Sequence, residues 1–165
     1  MNSKITARLK KTRENNYISQ RKTAQKLKIS KSYYNYFETG ERIITVSYLN
    51  DFCNLFHTTF DYILGLSNYN ISTKKKYKIN RELVSKRIKS VRKNHKLSQK
   101  ALAKLMNTSQ STISAYENGK SLIITAFLFE MCSKLNISAD YIIGRSNTIK
   151  IYIKEESSEW FFFLD

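Results

Sequence analysis

His57 and His95 are the only histidines and Cys53 and Cys132 the only cysteines, and neither pair has the company that catalysis or metal binding requires. The histidines stand at unrelated positions, no cysteine–histidine ligand cluster occurs, and there is no glycine-rich phosphate loop. The sequence therefore argues against an enzyme and implies neither cofactor nor metal. What remains for chemistry is hydrogen bonding and charge. Lysine and arginine number 29 against 13 aspartates and glutamates, a formal net charge of +16. Such an excess suits a polyanionic partner.

The charge is carried by a duplicated text. Residues 5–68 and 84–147 align without a gap at a constant offset of 79, with roughly 20 of the 64 positions identical. A period of this length exceeds a stacked solenoid unit and matches a small domain, so the chain reads as two tandem domains. Residues 1–68 form the first, 69–82 a basic linker, 83–147 the second and 148–165 a tail. Their formal charges are +6, +4, +8 and −2.

The elements that must position these side chains are helices. Ile5 and Leu9, and Val84, Ile88 and Val91, share one face of a first helix in each copy. Ser19 and Ser98 stand as caps before Gln20–Leu27 and Gln99–Met106, and Ser30 and Ser109 as caps before a third helix that ends near Glu38 and Glu117. Gly40 and Gly119 stop it. A fourth helix repeats an apolar stripe as Leu49, Phe52, Cys53 and Phe56 and as Leu128, Met131, Cys132 and Leu135, which makes both cysteines buried core residues. A short fifth helix around Asp61–Ile63 and Asp140–Ile142 closes each unit. The fold class expected is all-α, with five short helices per copy.

The second copy resembles the Cro/C1-type helix-turn-helix family, also called the XRE family. The resemblance lies in Leu97-Ser98-Gln99, Leu102-Ala103, Ser109-Gln110-Ser111-Thr112-Ile113-Ser114 and Tyr116-Glu117-Asn118-Gly119-Lys120. The first copy is similar in Ile18-Ser19-Gln20, Ser30-Lys31-Ser32-Tyr33-Tyr34 and Phe37-Glu38-Thr39-Gly40, and diverges further. Thr23 stands where the family and the second copy have leucine. Lys28 stands in the turn where glycine or asparagine is usual and where the second copy has Asn107; if the turn keeps its geometry, Lys28 must take a strained positive φ.

The resemblance implies two lambda-repressor-like domains whose third helix enters the major groove of double-stranded DNA. Base-reading positions would then be Gln110, Ser111, Thr112 and Ser114 in the second copy and Lys31, Ser32, Tyr33 and Asn35 in the first. Gln110 stands out, because its amide can pair bidentately with adenine; Lys31 can meet guanine or a phosphate. Gln99, Asn118 and Lys120, with Gln20, Thr39 and Arg42 in the first copy, resemble phosphate contacts. Arg13 with Glu38, and Arg92 with Glu117, would be structural ion pairs joining helix one to the end of helix three.

The function expected is a transcriptional regulator, a repressor that occupies its operator, in the cytoplasm and without a membrane anchor. The alternative is a protein-interaction module, such as an antitoxin-like partner, with DNA binding secondary or lost. The linker, with Lys74-Lys75-Lys76, reads as a tether long enough to let one chain act as a covalent pseudo-dimer, while two chains on a longer operator remain open. In the tail, alternating Ile149, Ile151 and Ile153 followed by Trp160–Leu164 suggest a small β-hairpin that packs on its own domain or makes a homodimer.

Overall fold

The structure, a computed structural model, describes residues 2–70 and 74–149. The segment 150–165, where most of the expected hairpin falls, lies outside the described residues. Among those described, all regular structure is helical: α1 (Asn2–Asn15), α2 (Gln20–Lys26), α3 (Lys31–Thr39), α4 (Val46–Phe56) and α5 (Phe60–Leu64), then α6 (Arg81–Asn94), α7 (Gln99–Leu105), α8 (Gln110–Glu117), α9 (Thr125–Leu135) and α10 (Ala139–Ile143). The described residues are thus all-α, in two repeats of five helices.

Capping explains most of these boundaries. The side chains of Ser19, Ser30, Thr45 and Thr59 accept the N–H three residues on at the starts of α2 to α5, and Ser98, Ser109 and Ser138 do so for α7, α8 and α10. Each cap satisfies a donor that the helix leaves open, for about 1 kcal/mol. Ile124 replaces Thr45 and gives α9 no side-chain cap. Asn80 caps α6, so this helix begins at Arg81, two residues inside the segment read as linker.

Positive φ recurs in register: Tyr17 with Lys96, Lys28 with Asn107, and His57 with Asn136. Lys28, at φ 57°, takes the left-handed conformation that the turn demands, and Asn107 takes it at 49°. Gly40 and Gly119 follow the third helices at 82° and 67°.

The buried apolar side chains of the two repeats join in one hydrophobic cluster. In the first repeat, Ile5, Leu9, Tyr34, Phe37, Leu49, Phe52, Cys53, Phe60 and Ile63 are all essentially sealed from solvent; in the second, Val84, Ile88, Leu102, Ile113, Leu128, Met131, Cys132 and Ile142 are. Both cysteines are free thiols in this cluster. Thr23 is fully buried and its hydroxyl has no hydrogen-bond partner, a consequence of putting threonine where the other copy has Leu102. Arg8 ties α1 to the end of its unit, donating to the carbonyls of Tyr62 and Ser67 and lying over the Tyr62 ring; Arg87 does the same with Tyr141 and Ser146.

The repeats meet through α5 and α10. Asp140 accepts from the backbone N–H groups of Phe60 (3.2 Å) and Asp61 (2.9 Å), while Asp61 accepts from the N–H of Ala139 (2.7 Å) and the hydroxyl of Ser138 (2.6 Å). One bond of each pair corresponds across the repeats, the N–H of Phe60 to Asp140 and the N–H of Ala139 to Asp61, the mark of an approximate two-fold relation, while the second bond of each aspartate differs. The loops after α3 and α8 meet at the same pseudo-dyad, where residues 43–47 and 122–126 line a cleft of about 300 Å³.

Other contacts there are one-sided. Thr125 donates its hydroxyl to the carbonyl of Ile44 at 2.5 Å. Arg145, buried, donates to Asn50 Oδ1, Asn54 Oδ1 and the carbonyl of Thr58, with its Nε 3.3 Å from Asp140. The linker is anchored beside it. Tyr77 accepts from the amides of Asn50 and Asn54 at 2.9 and 2.8 Å, donates its N–H to Asn54, and lays its ring 4.6 Å from the Arg145 guanidinium carbon. The segment is therefore strapped to α4 rather than hanging as a loose tether.

Candidate nucleic-acid interface

Two short helices joined by a tight turn present the first turns of α3 and α8. In α8, Gln110 and Ser111 are exposed and Thr112 and Ser114 half-buried. The Ser109 hydroxyl lies 2.7 Å from Ser111 Oγ and 2.9 Å from Thr112 Oγ1, so these hydroxyls form a local network around the cap. Gln110 has no such engagement among the described residues and keeps its whole amide for a ligand. Ile113 is fully buried and anchors the helix.

In α3, Lys31 and Ser32 are exposed while Tyr33 and Asn35 are partly built into the scaffold. The Tyr33 ring meets Phe37 and Tyr48 edge-on at 5.0 and 5.9 Å, and Asn35 Oδ1 accepts from the Gln20 amide at 3.2 Å. The two first turns therefore offer unlike chemistry. One carries a free amide among hydroxyls, the other a cation beside an aromatic surface.

The third helices are held by buried ion pairs. Arg13 Nε lies 2.6 Å from Glu38 Oε1, and Arg92 Nε 2.5 Å from Glu117 Oε1, with the glutamate side chains 3 % and 1 % exposed. Burial pushes both carboxyls up, but the bonds from arginine and glutamine outweigh it and hold them below the usual carboxylate range. In the first copy the Tyr34 hydroxyl adds a third donor to Glu38, at 2.7 Å. Arg13 and Arg92 are correspondingly raised, first by the hydrogen bond to their glutamates. Arg13 and Arg92 also donate to the carbonyls of Ile18 and Leu97, at 3.1 and 2.7 Å, fixing the approach to the helix pair.

Residues 9–63 and 88–142 each match the helix-turn-helix family HTH_3, once per repeat. The chain belongs to this family. It carries two tandem helix-turn-helix domains of the XRE type, with α2–α3 and α7–α8 as its helix pairs. It is similar to Antitoxin PezA of Streptococcus pneumoniae serotype 4 (strain ATCC BAA-334 / TIGR4), 36% identical over 67 residues, which cover 41% of this chain and 42% of that protein. The chain thus spans less than half the length of that relative. No solved structure matches.

Within this helix-turn-helix frame the residues read as phosphate contacts are not equally free. Gln20 spends both amide hydrogens inside the protein, on Asn35 and on Glu38 Oε2. Gln99 spends one, on Glu117 Oε2 at 2.9 Å, and retains the other. Asn118 and Lys120 are exposed just past α8, with Asn118 donating to Ser114 Oγ at 3.1 Å. Exposed Thr39 donates to Glu41, and the Arg42 guanidinium carbon rests 5.6 and 5.4 Å from the Tyr33 and Tyr36 rings. No described helix is long and apolar enough to cross a membrane.

Asp61, Asp140 and Arg145 form a part of the site that periodicity does not announce. They join the two repeats to one another. The identity of the aspartate in both copies, inside otherwise apolar short helices, was the available signal; Arg145, opposite Leu66, carried none.

Proposed function

We propose that the chain is a sequence-specific regulator that binds double-stranded DNA through the first turns of α8 and α3 and represses by occupying its operator. The observation that carries this reading is Gln110. It stands exposed at the first position of a capped, core-anchored helix, with its donor and acceptor both available to an adenine edge. Ser111 and Thr112 flank it, and Lys31 and Ser32 hold the corresponding place in α3. Gln99, Asn118, Lys120 and Arg42 are suited to phosphates, and the charge of +16 supplies the attraction that is independent of sequence.

Mobility shifts on a selected duplex and on its single-base variants test the reading. Gln110→Ala relaxes preference at one base pair and leaves affinity for unrelated duplex nearly unchanged. Identical preferences in parent and variant reject the assignment.

A second reading, a module that also holds a partner protein, is favoured by the similarity to Antitoxin PezA. Co-purification of a neighbouring gene's product with the chain, displacing DNA or indifferent to it, would support that reading.

A further inference from the structure

The interface between the repeats is two-fold in its backbone and asymmetric in its side chains. Asp61 and Asp140 each accept the first backbone N–H of the other's helix, from Ala139 and Phe60, so the two helix-turn-helix units are related approximately as subunits of a dimer would be. The remaining contacts work in one arrangement only. Arg145 of the second unit needs Asn50, Asn54 and the Thr58 carbonyl of the first. Where the first unit has Asn50 and Asn54, the second has Phe129 and Ser133; where the second has Arg145, the first has Leu66.

Two second units paired alike would set each buried Arg145 against Phe129 and Ser133. Two first units paired alike would set Asn50 and Asn54 against Leu66. Both leave polar groups buried without partners, which costs more than a missing surface contact. Thr125, which bonds Ile44, is matched by Val46, which cannot return the bond. The covalent connection, strapped at Tyr77, further favours pairing within one chain over pairing between chains.

Across this fixed pseudo-dyad stand unlike reading turns, Lys31-Ser32-Tyr33 and Gln110-Ser111-Thr112. We propose that one chain, acting as its own dimer, recognises one non-palindromic duplex site made of two different half-sites about one helical turn apart, bound in a single orientation. The proposal rests on the DNA-binding reading above and adds the class of site, its polarity and its stoichiometry.

The test selects sites for the full chain from random duplexes, measures the mass of the complex by sedimentation, and repeats the selection with Lys31→Gln and with Gln110→Ala. Both substitutions are at exposed positions and leave the core untouched. The expected site lacks inverted symmetry, holds one chain per duplex, and shows protection in two halves. Lys31→Gln changes base preference in one half and Gln110→Ala in the other, each by roughly 5- to 150-fold. An inverted repeat bound by two chains, in which either substitution alters both halves alike, overturns the proposal and leaves DNA binding intact. A site read in one half alone also overturns it. Failure to bind any duplex overturns both this proposal and the reading beneath it.

Discussion

Asp61 and Asp140 each close the amino end of the helix that carries the other. Asp140 takes the first two N–H groups of α5, and Asp61 takes the first N–H of α10 together with the hydroxyl of its cap, Ser138. Two aspartates in α5 and α10 thereby turn a repeat in sequence into a paired arrangement in space.

That pairing is sensitive to pH. The Asp140 carboxyl is pushed up to about 7, by burial first and by the charge of Asp61 second, against the pull of the two amide N–H groups and of Arg145. An unfolded aspartate titrates near about 3.9, so as pH falls from about 7 towards 4 the folded chain binds a proton that the unfolded chain does not, and stability rises. Glu38 and Glu117 are held low, so their contribution is present above the ordinary glutamate value and is lost as pH falls below it. Thermal midpoints therefore pass through a maximum in mild acid. Asp140→Asn lowers the midpoint overall and flattens its rise between about pH 7 and 5; an unchanged slope would contradict the assignment.

Arg92→Ala strands the Glu117 carboxylate, which is 1 % exposed, with only Gln99 for a donor. Urea unfolding should show a loss of about 3–5 kcal/mol. A loss under 1 kcal/mol would mean that water reaches the carboxylate.

Thr23→Val goes the other way. It exchanges a buried, unpartnered hydroxyl for a methyl group of the same shape, and should stabilise the first unit by about 1 kcal/mol in the same assay. Destabilisation would show that the hydroxyl is satisfied in solution.

Arg145→Leu installs the side chain of the equivalent position, Leu66, and removes three hydrogen bonds between the units. Calorimetry should resolve two transitions where the parent shows one, because the bonds that make the two units unfold together are lost. One unchanged transition would show that the units do not depend on Arg145 for their coupling.

Much of each unit was legible residue by residue. Ser19, Ser30, Ser98 and Ser109 announce helix starts because a cap acts on the N–H three residues away, and Lys28 announces strain because the turn's geometry is local. Thr23 stood out against Leu102 for the same reason. The relation between the units was not legible, since Asp61 meets Ala139 across 78 residues and no periodicity encodes a contact of that range. Tyr77 was hidden likewise: a lysine-rich stretch without pattern reads as a tether, whereas its backbone is fastened by Asn50 and Asn54 from α4. In the first turns of α8 and α3, Gln110 already stood out by its amide, and exposure separates it further from Tyr33 and Asn35, which are partly built into the scaffold.

The central claim is that the first turns of α8 and α3 enter a duplex groove with a cationic face behind them. Its most direct test is affinity for a selected duplex and for an unrelated duplex, measured across a series of salt concentrations. The account predicts that both log affinities fall linearly with log salt, by about 0.9 for each phosphate neutralised, and that the selected duplex stays tighter by about a thousandfold or more. Equal affinity for the two duplexes, or none for either in dilute buffer, would contradict it.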